Sequence, residues 1–210
     1  MCERQSYPVV EIFESLQGEG YNTGLESVFL RFGGCNLKCP WCDTRHETFE
    51  TLDEETVVAR VTACSARAVI LTGGEPFLQT GLEGLLTRFR DAGFWIGAET
   101  NGVLAPSAEV LRRMDYLTVS PKALYAPLYD DARMVRRADE VRIVVDGEVR
   151  DFCMAMRNRI EAPRYYLSPC ERDGTFNIGE TVRLLGELNR GRRSGKWRLS
   201  LQTHKLAGFR

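Results

Sequence analysis

Three cysteines stand within eight residues, Cys35-Asn36-Leu37-Lys38-Cys39-Pro40-Trp41-Cys42, a C-x3-C-x2-C spacing in a loop directly after a predicted strand. Thiolates this close on one short loop can face a single centre. Three ligands leave one iron of a four-iron cubane open to chemistry, whereas a structural zinc site is closed by four. His46 follows Cys42 after three intervening residues, so a Cys3His zinc tetrahedron is the competing reading, and three structural thiols are another. Seven cysteines in all are an odd number, and in an expected reducing compartment they favour metal or redox chemistry over disulfides.

Other chemistry-bearing residues recur at fixed places. Gly33-Gly34-Cys35, Gly73-Gly74-Glu75-Pro76, Asn101-Gly102, Pro121-Lys122, Asp146-Gly147, Pro169-Cys170 and Thr203-His204 each follow a short β-rich run. Those runs are Ser27–Phe32, Ala68–Thr72, Phe94–Thr100, Tyr116–Ser120, Val141–Val145, Tyr165–Ser168 and Trp197–Gln202. Between them lie helical stripes: Val57, Val58 and Val61 after Asp53; Leu82, Leu85, Leu86 and Phe89; Val149, Phe152, Cys153, Met156 and Ile160; Val182, Leu185 and Leu188. Strand–helix alternation implies parallel pairing through right-handed crossovers, hence an α/β fold, either an open sheet or a (β/α) barrel. In such folds the loops leaving the C-terminal strand ends gather on one face, and seven polar loops there favour a partial TIM-like barrel of mostly parallel strands.

The 210 residues are 43% hydrophobic and 27% charged, enough for one sizeable core, so a single domain over 1–210 is expected. With 28 basic against 29 acidic side chains there is no whole-molecule field to gather nucleic acid. No apolar run approaches the ~20 residues of a membrane span, and the segment Met1-Cys2-Glu3-Arg4-Gln5 lacks the apolar core of a secretion signal, which predicts a cytoplasmic protein.

The cysteine motif, with the aromatic Trp41 just before its last member, resembles that of the radical S-adenosylmethionine (radical SAM) enzymes. Thr72-Gly73-Gly74-Glu75-Pro76 looks like that superfamily's GGEP loop, and Ser120-Pro121-Lys122 like its nucleoside-contacting segment. The resemblance implies a 4Fe-4S cluster on Cys35, Cys39 and Cys42, whose open iron chelates S-adenosylmethionine and yields a 5′-deoxyadenosyl radical on one-electron reduction. It also implies cofactor contacts from Trp41, Cys42, Asp43, Gly74, Ser120, Pro121, Lys122 and Ser168. Ser168 stands where relatives often have glutamine.

A narrower similarity, to the 7-carboxy-7-deazaguanine synthases, rests on Leu16-Gln17-Gly18-Glu19-Gly20, Arg31, Cys42-Asp43-Thr44, Glu99-Thr100-Asn101-Gly102 and Ser200-Leu201-Gln202-Thr203-His204-Lys205. It implies ring contraction of 6-carboxy-5,6,7,8-tetrahydropterin to 7-carboxy-7-deazaguanine with loss of ammonia, a step of queuosine biosynthesis. The implied substrate contacts are Leu16, Gln17, Gly18, Arg31, Thr72, His204 and Arg210, with Thr44 as a Mg²⁺ ligand. Gln17 and the Leu16 and Gly18 backbone suit a pterin's amide pattern, and the Arg31 fork suits a carboxylate. Glu19, Glu99 and His204 are candidates to move protons. Homodimerisation is also implied. The basic stretch Arg190, Arg192, Arg193, Lys196 and Arg198 reads as a solvated face or as the dock of an acidic, flavodoxin-like reductant. A glycyl-radical-enzyme activase and a non-catalytic zinc or iron–sulfur module are the alternative functions; the pterin-type segments argue against the first, the GGEP and SPK loops against the second.

Glu75 reads as a loop brace, His46 as a polar loop residue, Asn101-Gly102 as a turn, and Cys153 and Cys64 as core.

Overall fold

The computed structural model describes residues 5–209. Its strands are β1 (Ser6–Leu16), β2 (Glu26–Phe32), β3 (Glu50–Asp53), β4 (Ala68–Gly73), β5 (Trp95–Thr100), β6 (Tyr116–Val119), β7 (Glu140–Val145), β8 (Tyr165–Pro169), β9 (Glu171–Arg172), β10 (Thr175–Phe176) and β11 (Trp197–Leu199). The helices are α1 (Glu54–Thr62), α2 (Leu82–Asp91), α3 (Ala108–Arg112), α4 (Arg150–Arg159), α5 (Ile178–Asn189) and α6 (Thr203–Ala207). Nine strands form one sheet in the order β11-β8-β7-β6-β5-β4-β2-β1-β3. From β2 through β11 every pairing is parallel; β1 and β3 add an antiparallel margin. β11 and β3 are not paired to each other, so the barrel is partial, as the alternation predicts.

Helices form where apolar spacing and caps agree. Asp53 caps α1 by accepting from Thr56 N at 2.7 Å, and Val57 and Val61 turn inward. All four predicted stripe residues of α2 are buried, as are Val149, Cys153, Met156 and Ile160 along α4. Of the predicted α5 stripe, Leu188 is buried and Leu185 packs against the core, but Val182 is 49% exposed and Thr181 is buried in its place where α5 meets β8 and β11.

Strand alternation explains where chemistry sits. In β7, Val141, Ile143 and Val145 join the core beneath the helices, so Glu140, Arg142 and Val144 point to the barrel interior. The same phase sends Val28, Leu30 and Phe32 outward and Arg31 inward; Val69 and Leu71 outward and Thr72 inward; Leu167 outward and Ser168 inward. Each such apolar side chain contributes about 1.5–3 kcal/mol on burial, so this layer fixes the register that aims the polar set.

The eleven-residue β1 and the short β3 were not foreseen. β1 pairs Glu11 opposite Arg31, a partnership that depends on register and not on local sequence.

Candidate active site

The C-terminal strand ends enclose a cavity of about 670 Å³, large enough for a cofactor and a small substrate together. It brings together Leu16, Gln17, Gly18, Arg31, Cys35, Cys39, Trp41, Cys42, Asp43, Thr44, Thr72, Gly74, Ser120, Lys122, Ser168 and His204. Two expected residues are not among them. Pro121 is buried and does not line the cavity, and Arg210 lies outside the described residues.

The cluster loop leaves β2 and is held from three sides. Gly74 N donates to Phe32 O and Glu75 N to Gly34 O, both at 2.9 Å. A Cβ on Gly74 would lie 1.7 Å from the Gly34 carbonyl oxygen, so the GGEP glycine is required first by its contact with the loop that carries Cys35. Asn101 Nδ2 donates to Asn36 Oδ1 at 2.7 Å and lies 4.0 Å from Cys35 Sγ. That segment is therefore more than a turn: it ties β5 to the cluster loop. Lys38 N donates to Tyr125 Oη at 2.9 Å.

Glu75 braces this junction, accepting from Phe77 N, Thr100 Oγ1 and Asn101 N at 3.1, 2.7 and 2.8 Å. Burial holds its carboxyl above the ordinary range despite those bonds. Burial likewise raises the Cys35 and Cys39 thiols, with Lys122 opposing it at Cys39.

Among the described residues no three His, Cys, Asp or Glu side chains converge as ligands of one ion. A cubane takes one thiolate per iron and so needs its three sulfurs spread around a body, not gathered on a point. His46 lies in the loop between β2 and β3, as expected, but buried; its Nε2 lies 3.9 Å from Glu47, and its carbonyl accepts from Gly34 N at 2.9 Å. The cavity also holds an unmet group: Ser168 Oγ is buried on its wall without a hydrogen-bond partner. Such an orphan, beside the thiols and the Ser120–Lys122 pair (2.8 Å), fits a polar cofactor lying across the strand ends.

Two polar assemblies face this region. In the first, Arg31 donates from Nε to Glu11 Oε1 at 2.9 Å and from Nη1 to Thr44 Oγ1 at 2.8 Å, joining the two residues expected at a substrate carboxylate and its metal. In the second, Arg142 reaches Glu19, Glu99 and Glu140 at 2.9, 3.1 and 3.0 Å. Glu99 also accepts from Gln17 Nε2 and Thr72 Oγ1. Burial would raise the Glu99 carboxyl, but Arg142 and these donors outweigh it and hold it below its ordinary value, so it is anionic at neutral pH.

Gln17 spends its amide on Glu99 and on Glu19 N, and the Gly18 carbonyl accepts from both Thr203 N and Thr203 Oγ1. These bonds fix the loop after β1 against β5 and the start of α6. A Cβ on Gly18 would meet His204 Nδ1 at 2.0 Å, which is why a glycine faces that ring.

Sequence reasoning missed Glu11, Glu140 and Arg142. A signal existed for the last two: charged residues at alternate positions of the otherwise apolar run Glu140-Val141-Arg142-Ile143-Val144-Val145. Cys170 also lines the cavity, buried, with its thiol raised by that burial. Cys153 is core as expected, and Cys64 packs partly against it. The basic stretch Arg190 to Arg198 runs from the end of α5 into β11 and so enters the sheet from the N-terminal strand ends. The five residues of β8 span roughly 15 Å from that end to the cavity face at about 3.3 Å per residue.

The radical SAM superfamily profile matches residues 29–149. The chain is 48% identical over 204 residues to the 7-carboxy-7-deazaguanine synthase of Haemophilus influenzae, covering 97% of this chain and 94% of that one. It is also 48% identical over 208 residues to the synthase of Neisseria meningitidis, covering 99% and 96%. The crystal structure of QueE from Escherichia coli superposes with a TM-score of 0.69 at 28% identity, covering 95% of each chain. A matching profile over more than half the chain and the cysteine loop at its start define a radical SAM protein. Within that superfamily, the chain belongs to the 7-carboxy-7-deazaguanine synthase family.

Proposed function

We infer that the protein converts 6-carboxy-5,6,7,8-tetrahydropterin to 7-carboxy-7-deazaguanine and ammonia. The observation that carries this is the convergence, in one cavity, of the three-cysteine loop with a cation (Arg31) and paired anionic acceptors (Glu19 and Glu99). When bound, the cluster and S-adenosylmethionine supply one-electron cleavage of a carbon–sulfur bond and the hydrogen abstraction that starts ring contraction. The chain holds, orients and isolates. Cys35, Cys39 and Cys42 carry the cluster, with Trp41, Asp43, Gly74, Ser120, Lys122 and Ser168 around the cofactor.

The Arg31 fork donates to the protein from Nε and Nη1, and its remaining nitrogen, Nη2, serves the substrate carboxylate. A carboxylate offers about four acceptor sites. Glu99 uses three of them within the protein and Glu19 two, leaving open sites that match the run of N–H donors on a pterin's pyrimidine edge. The walls contributed by His204 and Leu16 limit where a reactive carbon can strike, the main protein contribution to radical chemistry.

The test is anaerobic incubation of the reconstituted, reduced protein with S-adenosylmethionine and the carboxytetrahydropterin. Deazapurine and ammonia in equal amounts support the reading; cofactor cleavage without them overturns it and returns the activase.

Mg²⁺ is assigned to Thr44 together with the substrate carboxylate. Because the Arg31 guanidinium stands 2.8 Å from Thr44 Oγ1, this one neutral oxygen cannot hold a dication unaided. Mg²⁺ binding is therefore expected only with substrate present, and removing Mg²⁺ should slow turnover. Calorimetric titration with and without substrate checks it; equal binding in both would remove Thr44 from the site.

A flavodoxin-like reductant is assigned to the rim, where Lys38 and Arg45 are exposed on the cluster loop. Lys38→Glu should slow reduction by flavodoxin, most at low salt, and leave reduction by dithionite unchanged. Stopped-flow absorbance follows both. The homodimer rests on the family resemblance, and sedimentation velocity decides it; the cytoplasmic setting is the sequence's expectation, and no described helix is long and apolar enough to cross a membrane.

A further inference from the structure

Arg142 is 7% exposed and its guanidinium is used on every side. Nη1 meets Glu19 Oε2 at 2.9 Å, Nη2 meets Glu99 Oε1 at 3.1 Å, and Nε meets Glu140 Oε1 at 3.0 Å. Glu140, only 1% exposed, is itself fixed by Tyr116 Oη at 3.0 Å and Tyr21 N at 2.8 Å. Three carboxylates around one guanidinium carry a formal charge of −2 in a largely buried place. Without a shared cation, burial and mutual repulsion would each favour the neutral acid, so one carboxylate of the group would take up a proton more readily as pH falls. The planar fork also sets direction: it addresses Glu19 and Glu99 from two terminal nitrogens at a fixed angle, which a lysine ammonium cannot do.

We propose that Arg142 is a positioning residue, the common counter-ion that keeps Glu19 and Glu99 together as anionic acceptors facing the substrate while Glu140 anchors it from below. This rests on reading the cavity as a pterin site. It adds a specificity rule. Two anions on one wall accept only ligands whose facing edge donates, so the 2-amino group and neighbouring N–H of a pterin are required, and an analogue with a carbonyl there is refused.

The groups facing Glu99 are Arg142 from β7, Thr72 from β4 and Gln17 from the β1–β2 loop, with Glu19 and Glu140 reached through Arg142. His204 lines the same cavity in both wild type and variant, so the difference between their pH profiles is the readout.

The experiment is equilibrium dialysis of 6-carboxypterin against reconstituted, unreduced enzyme with S-adenosylmethionine, from pH 5.5 to 7.5. In the wild type Kd should change less than about threefold across that range. In Arg142→Gln, Kd should rise about tenfold or more as pH falls, because an acceptor carboxylate now takes up a proton. Arg142→Lys, which keeps the charge but not the fork, should bind about tenfold more weakly at every pH, with a wild-type profile and near wild-type melting. An Arg142→Gln protein with the wild-type Kd, or with a loss equal at all pH values, overturns the proposal. Should Arg142→Gln not fold, Arg142→Lys decides: unchanged affinity overturns it. A wild type that binds S-adenosylmethionine but not 6-carboxypterin defeats the pterin reading itself, and the proposal with it.

Discussion

Alanine at any one of Cys35, Cys39 or Cys42 is expected to eliminate cluster assembly and product formation together, with no intermediate activity. Each thiolate serves one iron, so losing one leaves two irons short of ligands in a site that has no replacement poised. Cys170 is the one further cysteine on the cavity wall among the described residues, but it is buried just after β8 and its Sγ is engaged by the Glu171 carbonyl at 3.6 Å. The substitutions should be mild for the fold itself, because Cys42 is exposed and Cys35 and Cys39 only partly covered. Iron and sulfide analysis with visible absorbance reads the first effect, product chromatography the second and thermal melting the third. An alanine variant that retains a four-iron spectrum and turnover would dismiss that cysteine as a ligand.

Arg31→Ala is expected to weaken substrate binding by roughly 1.5–3 kcal/mol, about 10- to 150-fold in Kd, with iron content unchanged. Arg31 is held ready before substrate arrives: Glu11 fixes Nε, Thr44 fixes Nη1, and the guanidinium lies 5.7 Å from the Phe13 ring centre. That preorganisation is what a carboxylate-binding fork needs, since little ordering entropy is left to lose on binding. Arg31→Lys should recover little, because a point charge satisfies neither the two-point geometry nor the hold on Thr44. Dialysis with 6-carboxypterin checks both variants, and wild-type affinity in Arg31→Ala would remove the carboxylate assignment. Because Arg31→Ala removes the guanidinium that Glu11 meets at 2.9 Å, Glu11→Gln/Arg31→Ala serves as the control for altered local charge.

The two effects divide cleanly in space. The cysteines sit on a loop whose backbone is locked to Gly74 and Asn101, whereas Arg31 sits one turn of chain earlier, on β2 itself, with its partner across the strand pair. Damage to one should therefore leave the other's readout intact, which is what makes paired measurement of iron content and pterin affinity informative.

Local pattern was enough for much of this protein. Strand–helix alternation, the loops after each apolar run and the cysteine spacing are short-range features, and short-range features survive in a linear text: the loop Cys35 to Cys42, the glycines at 73 and 74, and the helices α2 and α4 were readable because each is specified within ten or so consecutive residues. Partnerships across strands were not. Glu11 meets Arg31 through antiparallel register, Glu99 meets Arg142 across the intervening strand β6, and Gln17 and Gly18 are engaged by residues more than eighty positions away. Such pairs are chosen by packing of the apolar layer, which sets the phase of every strand at once; no window along the chain contains that information.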